Sequence, residues 1–279
     1  MAVEMTTDPE SGELSTGSGQ VPARAGQPPV SMIERMTLLL DAFDGATPTL
    51  TLVGLAERTG LPRSTVHRIL DQLIRLRWLA HAPGGYRLGV RTLELGGLAA
   101  DHNEIRDVVS PLLHDLSQQT GMVGHLGVLD GPEVLYLDKV GRYAATVPTR
   151  LGGRMPAHST ALGKALLATL EPSIVEASFR DRLPQLTART LADRAELHRE
   201  LGRIRNRQGV AVDNEESVPG IACVAVPIRG RGAAVAAVSL SGQIGGDRAA
   251  LDTARLARLL VEVAQEAGRS LFPRHVRWR

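Results

Sequence analysis

The stretch that decides the reading of the first third of the chain is LAERTGLPRSTVHRIL, residues 55–70. Leu55 and Ala56 are followed, four residues after the alanine, by Gly60, and then by Leu61, Val66 and Ile69. Two helices joined by a glycine turn make a corner in many proteins. The finer spacing narrows this one to a helix-turn-helix. A small side chain at 56 lets the next helix approach closely, and Gly60 tolerates the positive φ that many such turns use. Leu55, Leu61, Val66 and Ile69 then bury the inner faces. Packing those positions inward leaves Arg63, Ser64, Thr65, His67, Arg68 and Gln72 at the front of the second helix of the pair, the part that enters a major groove of DNA. Hydroxyl, amide and guanidinium groups there can bond phosphates or base edges, and an arginine can bridge both acceptors of a guanine. Singly, His67 reads more readily as a surface histidine than as a base reader, and Arg75 and Arg77 more readily as solvated or acid-paired cations than as phosphate contacts.

Working outward, Ser31 and Glu34 have the spacing of a capping box, and Met32, Met36, Leu39, Leu40 and Phe43 follow it at helical intervals. Gly45 and Pro48 end that helix. A second helix fits Leu52 to Thr59. A third begins after Pro62, with Ser64 as its candidate cap, and runs to about Arg77. Trp78, Leu79 and Ala80, a turn at Pro83-Gly84-Gly85 and then Tyr86-Arg87-Leu88 spell a hairpin, whose tip and Arg87 make a wing beside the DNA backbone. Val90 to about Ala100 reads as a connecting helix.

Residues 1–29 are rich in Gly, Ser, Thr, Pro and acids and nearly lack large apolar side chains, the composition of a disordered tail. The expected organisation is therefore that tail, a winged helix-turn-helix over 30–90, a linker helix over 91–103 and one α+β domain over 104–272. In the last, helical patterns cover 104–119, 160–169, 193–207 and 247–268. Strand-like runs occupy Val123–Leu129, Val134–Val140, Ala144–Thr149, Val210–Asp213, Ile221–Ile228 and Ala233–Ser241. There is no internal repeat.

Composition limits the function classes. The 279 residues, 43% hydrophobic and 22% charged, suit two folded domains. A net charge of +2 does not by itself imply nucleic acid, but seven arginines against one acid, Asp71, between residues 58 and 91 form a local basic surface. The single cysteine, Cys223, excludes an intramolecular disulfide and fits a reducing compartment. No run approaches a membrane span and the N-terminus has no signal pattern, so a soluble, cytoplasmic protein is expected. The eight histidines are scattered without a close ligand pair, so no metal is expected, and nothing calls for a cofactor. Gly152-Gly153 and the distant Lys164 lack the spacing of a phosphate loop. His158 beside Ser159, with Asp213 and Cys223 elsewhere, suggests a hydrolase only faintly, since no Gly-x-Ser-x-Gly elbow is present.

With these residues in view, the chain resembles the IclR family of bacterial transcriptional regulators over about Ser31 to Leu271. The resemblance rests on LAERTGLPRSTVHRIL (55–70), GGYRLG (84–89), LGGRMPAHSTALGKALLA (151–168), GVAVDNEESVPGIACVAVPI (209–228) and AAVSLSG (236–242). Gly209, Asp213, Glu216, Cys223, Val224, Ala225 and Ile228 satisfy the family's C-terminal signature. Arg229-Gly230 depart from it, standing where an aromatic or His followed by Asp or Asn is usual.

The resemblance implies a winged helix-turn-helix joined by a helix to a GAF-like effector domain. It also implies a homodimer or homotetramer on double-stranded DNA, and a regulator, read here as a repressor, that responds to a small organic acid. Carried onto this chain, the ligand pocket takes Val147 and Met155 as apolar walls. Ala161 and Leu162 would offer backbone N–H groups, with Asp213, Ile221, Cys223, Ser239 and Ser241 closing the site. Independently, a helix N-terminus suits a carboxylate, and serines at i and i+2 of a strand share a face. One helix-turn-helix reads few bases, so a dimer on a palindromic operator is the physical expectation as well.

Plainer roles stay open for the same residues. Ser159 or Thr160 can simply cap the helix, Asp213 can hold a backbone amide, and Cys223 and Met155 can be core. Two other functions also stay open: a constitutive DNA-binding protein whose second domain only oligomerises, and a small-molecule enzyme.

Overall fold

The computed structural model describes residues 31–45, 47–230, 232–244 and 251–273. The segment 1–29, read above as a tail, lies outside the described residues. The chain divides into two compact units between Leu95 and Gly96.

In the first unit, Ser31 caps α1 (Met32–Asp41) through the full reciprocal box. Its hydroxyl accepts from Glu34 N at 3.1 Å, and its own N–H donates to Glu34 Oε2 at 3.0 Å. Thr51 caps α2 (Leu52–Thr59), and Gly60 ends it at φ 67°. Helix α3 (Arg63–Arg75) differs at both ends from the sequence expectation. Ser64 lies inside the first turn and makes no cap bond. Pro62 precedes the helix with its φ already set, and its carbonyl accepts from Thr65 N and Val66 N at 2.9 and 3.0 Å. The helix stops two residues short of Arg77 because that residue turns left-handed, φ 64°. Arg77 N then bonds Ile74 O and Trp78 N bonds Leu73 O, each at 2.9 Å, the closed double bond of a Schellman ending.

Strands β1 (Leu79–Ala82) and β2 (Gly85–Leu88) form the expected hairpin. Leu50 adds an isolated antiparallel bridge on the far side of Tyr86. Gly85 is needed there, because a Cβ would meet the Leu50 backbone, 2.7 Å from its carbonyl carbon. The core of this unit gathers Leu39, Phe43, Leu50, Leu55, Ala56, Leu61, Val66, Ile69, Leu70, Leu73 and Leu79. All four inner-face positions argued from the spacing, and Ala56, are among them.

Helix α4 (Val90–Asp101) contains the division between the units and buries none of its own residues. After it come α5 (Glu104–Thr120), β3 (Val123–Asp130), β4 (Glu133–Val140), β5 (Arg154–Pro156), α6 (Ala161–Leu167), α7 (Pro172–Ser178), α8 (Arg194–Asn206), β6 (Ala211–Asn214), β7 (Ile221–Arg229), β8 (Ala234–Gln243) and α9 (Thr253–Leu271). The six strands make one antiparallel sheet in the order β5-β4-β3-β8-β7-β6.

Both faces of the sheet are covered, which is why its strands read as continuous apolar runs. Leu126, Val224, Val226, Ile228, Ala236, Val238 and Leu240 pack with α5 and α9. Val134, Tyr136, Ala225 and Ala237 pack with α6 and α8 on the other side. Because side chains alternate along a strand, Cys223, Ser239 and Ser241 join that second face.

Several expectations need correction. Ala144–Thr149 is not a strand: it opens with a 3-10 turn at Ala144–Thr146, closed by Thr146 N to Tyr143 O and Val147 N to Ala144 O. The place beside β4 is taken by the backbone that follows, with Tyr136 N bonded to Gly153 O and Gly152 N to Tyr136 O. Strand β5 and helix α7 had no recognisable period in three and seven residues. The last helix begins at Thr253, capped by Asp252, which accepts from Arg255 N at 3.0 Å. Positions 247–250 of the expected helix lie outside the described residues.

Candidate DNA-binding face and ligand cavity

On the first unit, α3 turns Arg63, Ser64, His67 and Arg68 outward, with Thr65 and Gln72 half-buried, and Arg87 is exposed on β2. The fold sorts the seven arginines of the basic stretch. Arg58 is a structural clamp, donating to Ala42 O at 2.8 Å, Asp44 Oδ2 at 3.0 Å and the Thr47 hydroxyl at 3.1 Å. Arg77 and Arg91 share Glu94, each at 3.5 Å. Arg63, Arg68, Arg75 and Arg87 have no carboxylate partner among the described residues. His67 Nδ1 lies 3.3 Å from Asp71 Oδ2, one turn on along the same face.

On the second unit, sheet register builds a polar row. Val123 pairs with Ser241, Ser241 with Cys223, and Cys223 with Asp213. In the neighbouring row His125 pairs with Ser239. Above these rows sits a narrow cavity of about 360 Å³, counting gaps between its atoms and its open mouth. All nine ligand positions carried over from the resemblance line it. Val147 and Met155 form apolar wall, Ala161 and Leu162 open α6 at its edge, and Asp213, Ile221, Cys223, Ser239 and Ser241 come from the sheet. His125, Tyr136, Thr149, Ser217 and Val218 line it too without having been expected there, as does Thr160, read above only as a helix cap. The pairing partner of His125 and the strand offset of Tyr136 could have found them, but register across non-adjacent strands is not written in any one segment.

Some of the plainer roles hold alongside the cavity. The Thr160 hydroxyl caps α6, accepting from Gly163 N at 3.0 Å. Asp213 accepts from Glu216 N at 2.7 Å, and from Ser217 N at 3.3 Å and the Ser217 hydroxyl at 2.5 Å. Burial pushes its carboxyl pKa up, against the Ser217 hydroxyl and the charge of Lys164. Burial also raises the Cys223 thiol, which accepts from the Ser241 hydroxyl at 3.0 Å, so it stays a thiol and a poor nucleophile. By contrast, the hydroxyls of Tyr136 and Ser239, two residues of the cavity lining, make no hydrogen bond to another described residue.

Among the described residues no cationic side chain lines the cavity. Lys139 Nζ donates to Val147 O at 2.6 Å and to Thr149 O. Lys164, 1% exposed, holds Val212 O at 2.7 Å and Glu216 Oε2 at 2.6 Å. That pair anchors the segment 215–218 over the cavity, as do the Thr187 and Thr190 hydroxyls, which donate to the carbonyls of Glu215 and Glu216 at 2.7 and 2.6 Å.

His125 is held neutral. Burial, and then the charge of Lys139, push its pKa down to about 3 from a free value of 6.5. Its Nε2 meets the Thr149 hydroxyl at 2.8 Å. The unfolded chain takes up this proton near pH 6.5 and the folded one only near pH 3. The second unit should therefore lose stability as pH falls through that window. His125→Gln should flatten this falling limb in urea titrations run from pH 7 to 4, and an unchanged slope would refute the assignment.

His158 and Ser159 are not arranged as base and nucleophile. The His158 Nε2 meets Pro184 O at 2.8 Å, and the Ser159 hydroxyl donates to Pro156 O at 3.0 Å. Among the described residues no cluster of three or more His, Cys, Asp or Glu is placed to hold a metal, and no helix is long and apolar enough to cross a membrane.

Comparison with known proteins matches residues 32–83 to the IclR helix-turn-helix domain and residues 97–269 to the bacterial transcriptional regulator IclR C-terminal domain. The HTH-type transcriptional regulator XynR of Escherichia coli is 35% identical over 249 residues, 88% of this chain and 96% of that protein. The transcriptional repressor IclR of the same organism is 28% identical over 81% of this chain and 86% of its own. Among solved structures, an IclR homologue from Microbacterium hydrocarbonoxydans complexed with 4-hydroxybenzoate superposes with a TM-score of 0.74 at 28% identity, covering 86% of this chain and 99% of that one. The Thermotoga maritima IclR gives a TM-score of 0.66 at 30% identity, over 86% and 98% of the two chains. With both of its domains matched by the family's own models and most of its length by named regulators, the chain belongs to the IclR family of bacterial transcriptional regulators.

Proposed function

We propose that this regulator binds a palindromic operator as a homodimer or a tetramer, and that a small organic acid in the cavity of its second unit sets the affinity. The observation that carries the effector reading is the cavity itself. The hydroxyl-bearing residues Tyr136, Ser239 and Ser241 stand together in its wall, where an occupant would find hydrogen-bonding groups. Ala161 and Leu162 would offer their amides to a carboxylate. Helix α6 has seven residues, so this is a pair of donors more than a strong dipole. A relative complexed with 4-hydroxybenzoate makes that acid the first compound to try. Because the cavity is narrow, an aromatic occupant would have to spread its walls, and so would favour one conformation over another.

Dimer formation accords with the exposed apolar side chains on α4, where Leu93 and Leu98 are 76% and 54% exposed. A second protomer would cover them. We read the protein as a cytoplasmic repressor, in line with the named repressor among its relatives, and not as an enzyme. The domain limits kept for this reading are 30–90 for DNA binding, 91–103 for the connector and 104–272 for the effector.

The test is a mobility-shift titration of the duplex upstream of the gene, with and without 4-hydroxybenzoate and a set of short hydroxy and keto acids, alongside calorimetry of the same acids. Affinity altered by an acid that calorimetry shows to bind supports the proposal. A bound acid that leaves DNA affinity unchanged defeats the coupling, and no heat from any acid together with tight DNA binding favours the constitutive reading.

On the DNA side, the contacts proposed are Arg63, Ser64, Thr65, His67, Arg68, Gln72 and Arg87. Arg68→Ala should weaken specific binding by about 1–3 kcal/mol and spare random DNA. Equal losses on both would make it a phosphate contact.

A further inference from the structure

The four arginines without carboxylate partners include two that share a feature the helix-turn-helix reading did not use. Arg68, Asp71, Gln72 and Arg75 form one stripe along the exposed side of α3, and His81 of β1 faces it. With Ile74 they line an open crevice of about 740 Å³, counting gaps between its atoms and the solvent at its mouth. Asp71, the one acid in its lining, already has His67 Nδ1 at 3.3 Å. The crevice therefore carries uncompensated positive charge on one wall and a ring nitrogen on the other.

Length decides what such a crevice can meet. Helix α3 has 13 residues and spans about 20 Å at 1.5 Å per residue. A major groove is only about 12 Å wide. A helix that enters the groove by its first turns leaves its last turn at the rim, where sugar and phosphate are exposed and base edges are not. Arg75 is the last residue of α3.

We infer that the crevice between α3 and β1 is a phosphate seat, in which Arg75 and His81 hold the DNA backbone that borders the groove read by residues 63–72. The planar guanidinium matches two phosphate oxygens, and Ile74 gives a deoxyribose an apolar surface to rest on. Such a contact adds affinity and fixes register without reading sequence. It rests on the family's DNA binding but assigns two residues that the motif does not.

The test is the salt dependence of binding of the full-length protein to a random-sequence duplex. Each phosphate neutralised contributes about 0.9 to the slope of log K against log salt. Arg75→Gln should lower the slope by about 0.9 for each bound protomer and weaken binding to random DNA, while Arg75→Lys should restore the slope. His81→Ala should weaken random-duplex binding as well. An unchanged slope in Arg75→Gln would overturn the inference, and so would a loss accompanied by dissociation of the oligomer in sedimentation, which would make the crevice a contact between protomers. Failure of the wild-type protein to bind the duplex at low salt would overturn it by removing DNA binding altogether, a result visible before any variant is made.

Discussion

Replacing Lys164 with methionine is expected to destabilise the second unit by about 3–5 kcal/mol, the range for breaking a buried ion pair from one side. The ammonium is 1% exposed and holds both Glu216 and the carbonyl of Val212, so methionine leaves a carboxylate and a carbonyl without their donor. Burial already pushes the Glu216 pKa up, with Lys164 opposing it. Without the lysine this carboxyl rises further. A group whose folded pKa lies above its unfolded value is most stabilising below the unfolded value, 4.5 for Glu216, and loses that stability as pH rises. The defect should accordingly be smaller at pH 5 than at pH 8, as measured by urea unfolding. The double variant Lys164→Met with Glu216→Leu should recover much of the loss, since a buried pair can often be exchanged for apolar groups. A single variant as stable as the parent at pH 8 would show that the pair is not what anchors the segment over the cavity.

Gly163→Ala should be nearly as damaging. A Cβ at 163 would collide with the Ala157 backbone, 2.6 Å from its carbonyl carbon, and backbone cannot rotate away as a side chain can. The expected loss is about 1–3 kcal/mol, the usual range for overpacking, and its upper part is favoured because backbone is struck. This glycine lets α6 lie against the 3-10 turn Ala157–Ser159, and that contact aims Thr160, Ala161 and Leu162 at the cavity. Thermal unfolding together with calorimetry of a bound acid distinguishes two effects. A variant that folds and still binds the acid as the parent does would show that the close approach does not set the site.

Much of the first unit was legible in the sequence. The capping box at Ser31 and Glu34, the glycine stop at 60 and the inward set Leu55, Leu61, Val66 and Ile69 are local statements, each decided within a few residues. The expected end of α3 at Arg77 was wrong because an arginine, not a glycine, takes the left-handed position, and hydrogen bonding back to Leu73 and Ile74 compensates for it. The expected strand at Ala144–Thr149 was wrong for a different reason: its β-branched residues fit an extended run, but the edge beside β4 was already occupied by 152–156.

What the sequence by itself determined was the class of the protein and the identity of its two folding units, since helix caps, glycine turns and alternating strands are encoded over short windows. It also placed nine cavity residues through family motifs. Tertiary structure alone decided that His125 and Tyr136 face the same cavity, that Lys164 is buried against Glu216 and that Arg58 clamps Asp44 while Arg68 and Arg75 find no acid partner among the described residues. These facts depend on which strands pair and which helices cover them. Residues 52 positions apart, such as Lys164 and Glu216, meet only after the sheet has closed its register, and no local pattern records that meeting.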